Sequence, residues 1–107
     1  MTDKIIVFVT CESVEQAGAI AETVVTERLA ACVNVLPGIR SCYFWDGKLT
    51  WSTEVLLLLK TTRGRFKDLQ QRVKSLHSYE VPEIVAVSIE DGFEKYIGWI
   101  EQSVAPA

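Results

Sequence analysis

The sequence predicts an α+β fold, a ferredoxin-like βαββαβ sandwich with a long β-hairpin and an extra C-terminal helix. Apolar, β-branched runs alternate with segments whose apolar residues recur every three or four positions. Their order is strand, helix, strand, strand, helix, strand, helix. Asp46-Gly47 stands between the second and third strands, and both residues suit the positive φ of a tight hairpin turn. The 107 residues, 49% of them apolar, suffice for one domain with a substantial core. In this chain order the sheet is antiparallel and the first two helices share one of its faces.

Each element has its own signal. Lys4 to Thr10 is a β-branched run that reads as an inner strand. Ser13, followed three residues later by Gln16, is a capping box for a helix reaching about Arg28. Val14, Ala17, Ala21 and Val24 form its apolar stripe. Ala31 to Leu36 is a strand that Pro37-Gly38 bends or bulges before Ile39 to Trp45 resumes it. Leu49 to Lys60 returns as its partner, and five successive apolar residues, Val55 to Leu59, call for burial on both faces. Thr62 is the expected cap of a second helix with the stripe Phe66, Leu69, Val73 and Leu76. Ile84 to Ile89 reads as a central strand buried on both faces. Asp91, with Glu94 as its N3 carboxylate, is the expected cap of the last helix. Phe93, Tyr96, Ile97 and Ile100 lie on one face of that helix, and Trp99 suits an interface.

The hairpin is too long for the sandwich. Each arm of roughly a dozen residues spans about 40 Å at ~3.3 Å per residue, whereas the helices reach only about 20–25 Å at ~1.5 Å per residue. The tip must project, and it carries Tyr43, Phe44, Trp45, Leu49 and Trp51. Such an exposed apolar arm calls for a partner subunit to cover it. The other outcome is an arm that folds back on its own core with Pro37-Gly38 as the corner.

Composition narrows the function. A formal net charge of -3 gives no general affinity for nucleic acid or anionic membrane. No apolar run is long enough to span a bilayer, and the first apolar run reads as a strand rather than a signal peptide. Cys11, Cys32 and Cys42 are odd in number and lack C-x-x-C spacing, which fits reduced thiols and a cytoplasmic location. Lys60, Arg63 and Arg65 surround a helix start without making a phosphate loop. The most versatile side chains fall in the hinge before the last strand. His77, the sole histidine, stands beside Tyr79, Glu80 and Glu83, with Pro82 between the two carboxylates. The bland reading of that hinge is a solvated turn.

The residues also carry a resemblance. Arg28 to Val35, Pro37-Gly38, Tyr43 to Gly47 with Trp45, Glu54, Lys60-Thr61 and His77 to Glu83 together resemble the CutA divalent-cation-tolerance family over nearly the whole chain. The resemblance implies a ferredoxin-like subunit that forms a homotrimer through the long hairpin. It implies a link to tolerance of copper and other divalent metals, and a likeness to PII-type proteins that bind small effectors between subunits. Some bacterial members are credited with a metal site built from a cysteine ending the first strand and a His-His pair. Here those positions hold Val9 and Leu76-His77.

Three functions follow as expectations. A metal-responsive, non-enzymatic trimer would bind copper or another divalent cation weakly, with His77 as anchor, Cys11 as thiolate and Glu80 as oxygen ligand. Against this, Cys11 reads more simply as a small buried hydrophobe at a strand end. A small-effector sensor would use an inter-subunit cleft lined by Trp45, Glu54, Lys60 and Tyr79. The same residues could equally be a structural network, since Glu54 and Lys60 share one strand face. An enzyme is the third option, but no nucleophile elbow, phosphate loop or nucleophile-plus-base spacing supports it.

Overall fold

The computed structural model of the chain describes residues 2–106. The elements are β1 (Lys4–Cys11), α1 (Val14–Thr26), β2 (Cys32–Trp45), β3 (Lys48–Thr62), α2 (Phe66–Leu76), β4 (Ile84–Ser88) and α3 (Glu94–Ser103). All strand pairs are antiparallel and their order across the sheet is β2-β3-β1-β4. This is the ferredoxin-like topology.

Alternation along the strands divides the side chains between two faces. Ile5, Val7, Val9 and Cys11 of β1 and Val55, Leu57 and Leu59 of β3 point inward and are buried. Ala17, Ile20 and Val24 of α1 and Leu69 and Val73 of α2 close over them, so both helices cover one face. A smaller cluster, Ala31, Ile100 and Val104 with Ile89, seats α3. Among the described residues, the opposite face of the sheet has no such cover. There Ile6, Phe8, Leu56 and Leu58 are only half-buried, and Leu36, Val85 and Val87 are exposed.

The hairpin is as long as its sequence requires. Its arms are 14 and 15 residues, and the chain extends 45 Å along its longest axis with a radius of gyration of 14.5 Å. A compact chain of this length would have a radius near ~13 Å, so the arm projects instead of folding back. Leu36 pairs with Leu56 and Ile39 with Glu54, so Pro37 and Gly38 form a bulge with one residue more than β3 provides. Gly38 has φ +82°, a region that disfavours a Cβ. At the tip Asp46 and Gly47 both have positive φ, 54° and 75°, as a tight hairpin turn requires.

Several expectations need correction. β4 lies at a sheet edge, not the centre, and its apolar residues Val85 and Val87 are 52% and 49% exposed. Its β-branched run signals an apolar outer face rather than double burial. Val14 is exposed, and Ile20 takes its place in the core stripe of α1. That helix stops at Thr26 in a Schellman motif, with Leu29 N–H on Val24 O, Arg28 N–H on Val25 O and Arg28 left-handed at φ 60°. Ser13 caps α1 by accepting from Gln16 N–H, but the Gln16 side chain accepts from Ser78 Oγ and does not complete the box. Thr62 makes no side-chain cap, because a 3₁₀ turn at Arg63–Arg65 intervenes before α2. Asp91 lies too early to cap α3, which starts at Glu94 after Phe93. Within the face expected for α3 only Ile100 is fully buried, while Phe93 and Tyr96 stay exposed.

Candidate functional site

The hinge between α2 and β4 is fixed from both sides of its histidine. α2 ends at Leu76, and His77 turns extended at φ −84°, ψ 142°. This swings the imidazole over the end of β1. There Nε2 lies 2.7 Å from the carbonyl oxygen of Thr10, and Nδ1 lies 3.0 Å from the backbone nitrogen of Tyr79. A carbonyl can only accept and an amide N–H can only donate. Nε2 therefore carries the proton and Nδ1 accepts, which makes the ring neutral with both nitrogens used.

Tyr79 packs its ring 4.7 Å from that of His77 and donates its hydroxyl to Glu54 Oε2 at 2.8 Å. Glu54, on β3, is only 8% exposed, so this donor matters to its carboxylate. Burial, and then the Glu54 carboxylate, raise the Tyr79 phenol well above the ordinary tyrosine pKa. Ser78 Oγ donates to Gln16 Oε1 at 3.3 Å. Three consecutive hinge residues, His77, Ser78 and Tyr79, thus meet β1, α1 and β3 through their side chains.

The expected cation ligands are not gathered into a cage. Cys11 is buried and its thiol donates to Ser13 O at 3.5 Å. Burial pushes that thiol up, which disfavours the thiolate a metal needs. Glu80 and Glu83 are exposed. Among the described residues, no three His, Cys, Asp or Glu side chains are grouped so as to hold a metal ion. The donor set of one chain therefore does not fit a preformed cation site. Of the expected cleft residues, Glu54 and Tyr79 meet directly. Lys60 lies six positions farther along β3, about 20 Å at ~3.3 Å per residue, and its ammonium donates to Asn34 Oδ1. Trp45 is at the opposite end of the arm, paired with Lys48 and 71% exposed. A surface depression of about 270 Å³ lies elsewhere, between the ends of α1 and α3.

The Thr10 carbonyl and the Tyr79 amide, which fix His77, were illegible in the sequence, because backbone groups are the same in every residue. The Ser78–Gln16 contact was equally hidden, since it spans 62 positions.

Residues 5–103 match the family of the CutA1 divalent ion tolerance protein. The chain belongs to the CutA family. It is 48% identical to the divalent-cation tolerance protein CutA of Thermus thermophilus over 92% of this chain and 95% of that one. It is 41% identical to a chloroplastic CutA protein of Oryza sativa, covering 92% of this chain but only 56% of the relative. The crystal structure of CutA from Xylella fastidiosa superposes with a TM-score of 0.95 at 38% identity, covering 97% of this chain and 100% of that one. CutA membership ties the chain to divalent-cation tolerance in general. No helix among the described residues is long and apolar enough to cross a membrane.

Proposed function

We propose that the chain acts in divalent metal ion tolerance as a non-enzymatic, cytoplasmic homotrimer that holds Cu²⁺ only weakly, with His77 as its imidazole ligand. The observation that carries the reading is the uncovered outer face of the sheet, continuous with the projecting arm. Phe8, Leu36, Leu56, Leu58, Val85 and Val87 give that face an apolar surface suited to a second copy. The arm adds Phe44 and Trp45 at 74% and 71% exposure. Family membership supports the link to divalent cations, and the number three is what the resemblance to that family implies.

Weak copper binding follows from the hinge. His77 has no free lone pair while Thr10 and Tyr79 hold it, so coordination must displace a hydrogen bond. Copper calorimetry on the wild type and on His77→Ala, with the N-terminal amine blocked, tests this. Weak binding that disappears in His77→Ala is expected; equal binding by both proteins removes His77 as ligand.

A second reading is a PII-like sensor of a small effector in the clefts between subunits. It is favoured by the Glu54–Tyr79 pair, a poorly exposed carboxylate and phenol at the edge of the uncovered face. Trp45 and Lys60 would have to come from neighbouring copies to complete such a cleft. Chemical-shift changes at Tyr79 on screening small anions and nucleotides would support it, and Glu54→Gln should abolish them.

A further inference from the structure

We infer that His77 is a two-sided hydrogen-bond clamp, a positioning residue that fixes the hinge so that the Tyr79 hydroxyl caps the Glu54 carboxylate. The inference extends the proposed function, since it explains why this histidine is a poor cation ligand, but its test needs no metal.

Three observations converge on it. The ring bridges two backbone groups, the Thr10 carbonyl at the end of β1 and the Tyr79 amide two residues ahead. Only the neutral Nε2–H tautomer can make both bonds. The second bond orients the backbone of the residue whose hydroxyl reaches Glu54. An arrangement that served only the turn would need the Nδ1 contact alone. An arrangement that served a cation would leave one nitrogen open to solvent. Here neither holds, and β1, the hinge and β3 are joined in one chain of hydrogen bonds running Thr10, His77, Tyr79, Glu54.

Glu54 gives the clamp its purpose. Its carboxylate is nearly buried at the point where β3 passes the end of β1, beside Val55, which pairs with Cys11. Without the Tyr79 hydroxyl the carboxylate would keep little solvation and no side-chain donor. The clamp therefore sets whether Glu54 is capped or free. That is the kind of control an effector or a neighbouring subunit acting at this edge could use.

The single histidine makes the test simple, because its imidazole signals need no assignment. Nitrogen-15 NMR on the metal-free, full-length protein should show a neutral Nε2–H tautomer with a slowly exchanging ring proton. The Tyr79 amide should be protected from hydrogen exchange. His77→Ala should lower that protection roughly five- to tenfold, as expected for one hydrogen bond of ordinary net strength. His77→Asn, whose amide oxygen can replace Nδ1, should restore most of it, which a purely space-filling role would not predict. In His77→Ala the Tyr79 ring signals should also move as the hydroxyl leaves Glu54. An Nδ1–H tautomer, a freely exchanging ring proton, or His77→Asn behaving like His77→Ala would overturn the clamp. Because no copper is present, these results stand or fall independently of the copper reading.

Discussion

Tyr79 and Glu54 form the most consequential side-chain pair in the molecule, because one partner is a carboxylate with 8% exposure. Tyr79→Phe removes the donor but not the charge, so we expect a loss of about 1–3 kcal/mol, the cost of leaving a buried acceptor unpaired. Urea unfolding with an unchanged m-value measures it. Glu54→Gln in the same background should recover part of the loss. Burial and Glu54 raise the folded-state pKa of Tyr79 above its unfolded value near ~10. Its contribution is therefore intact below pH ~10 and is lost as pH rises from there toward the folded pKa. Thermal midpoints from pH 8 to 11 should fall more steeply for wild type than for Tyr79→Phe. The cysteines offer a second check at this scale. All three are free, Cys11 buried and Cys42 exposed. In native protein a thiol reagent should modify Cys11 last, and denatured protein should titrate as three thiols. The sequence identified the hinge residues by type, but not their pairing. His77, Tyr79 and Glu54 are chemically conspicuous, whereas the Thr10 carbonyl that anchors them is indistinguishable from any other.

Among the elements, legibility followed how local the signal was. The Asp46-Gly47 turn, the Pro37-Gly38 bulge and the Ser13 cap are decided within a few residues, and all three were legible. The position of β4 is decided by which strands lie beside it, so its apolar run could not distinguish an edge from a centre. The end of α1 was hidden for another reason. Its Schellman motif places Arg28 at φ 60°, where glycine is usual, so the expected stop signal is absent. Left-handed backbone costs a non-glycine residue about 1–2 kcal/mol. Arg28 recovers little through its 3.5 Å contact to Ser103 O. Arg28→Gly should therefore raise stability by several tenths to about 1 kcal/mol, after allowing for glycine's greater unfolded-state freedom. A higher urea midpoint with unchanged m checks this, and a lower one would mean that the contact to α3 outweighs the strain.

For the whole molecule, the decisive feature is that one sheet face is covered by α1 and α2 while the other is not. The projecting arm and the apolar tip were legible in the sequence from length alone. The uncovered sheet face was not, because five successive apolar residues, Val55 to Leu59, require a layer on each side without specifying which chain supplies the second one. Phe8 and Leu58 stand directly opposite each other on that face. Phe8→Asp should dissociate the assembly, and sedimentation equilibrium at micromolar concentration should then report single chains where wild type reports three. A stable wild-type monomer would refute the proposed assembly. The bulge at Pro37-Gly38 carries a further consequence for how this arm can change in length. Ten residues, Leu36 to Trp45, run beside nine, Lys48 to Leu56. The arm thus holds one residue of slack. Deleting Pro37 should iron out the bulge and leave Tyr43 and Trp45 on the side they now occupy. Adding a residue there has no such reserve and must turn the far half of β2 over or break its pairing. Tolerance to length change in the arm is therefore one-sided, and the shorter variant should keep its assembly where the longer one loses it.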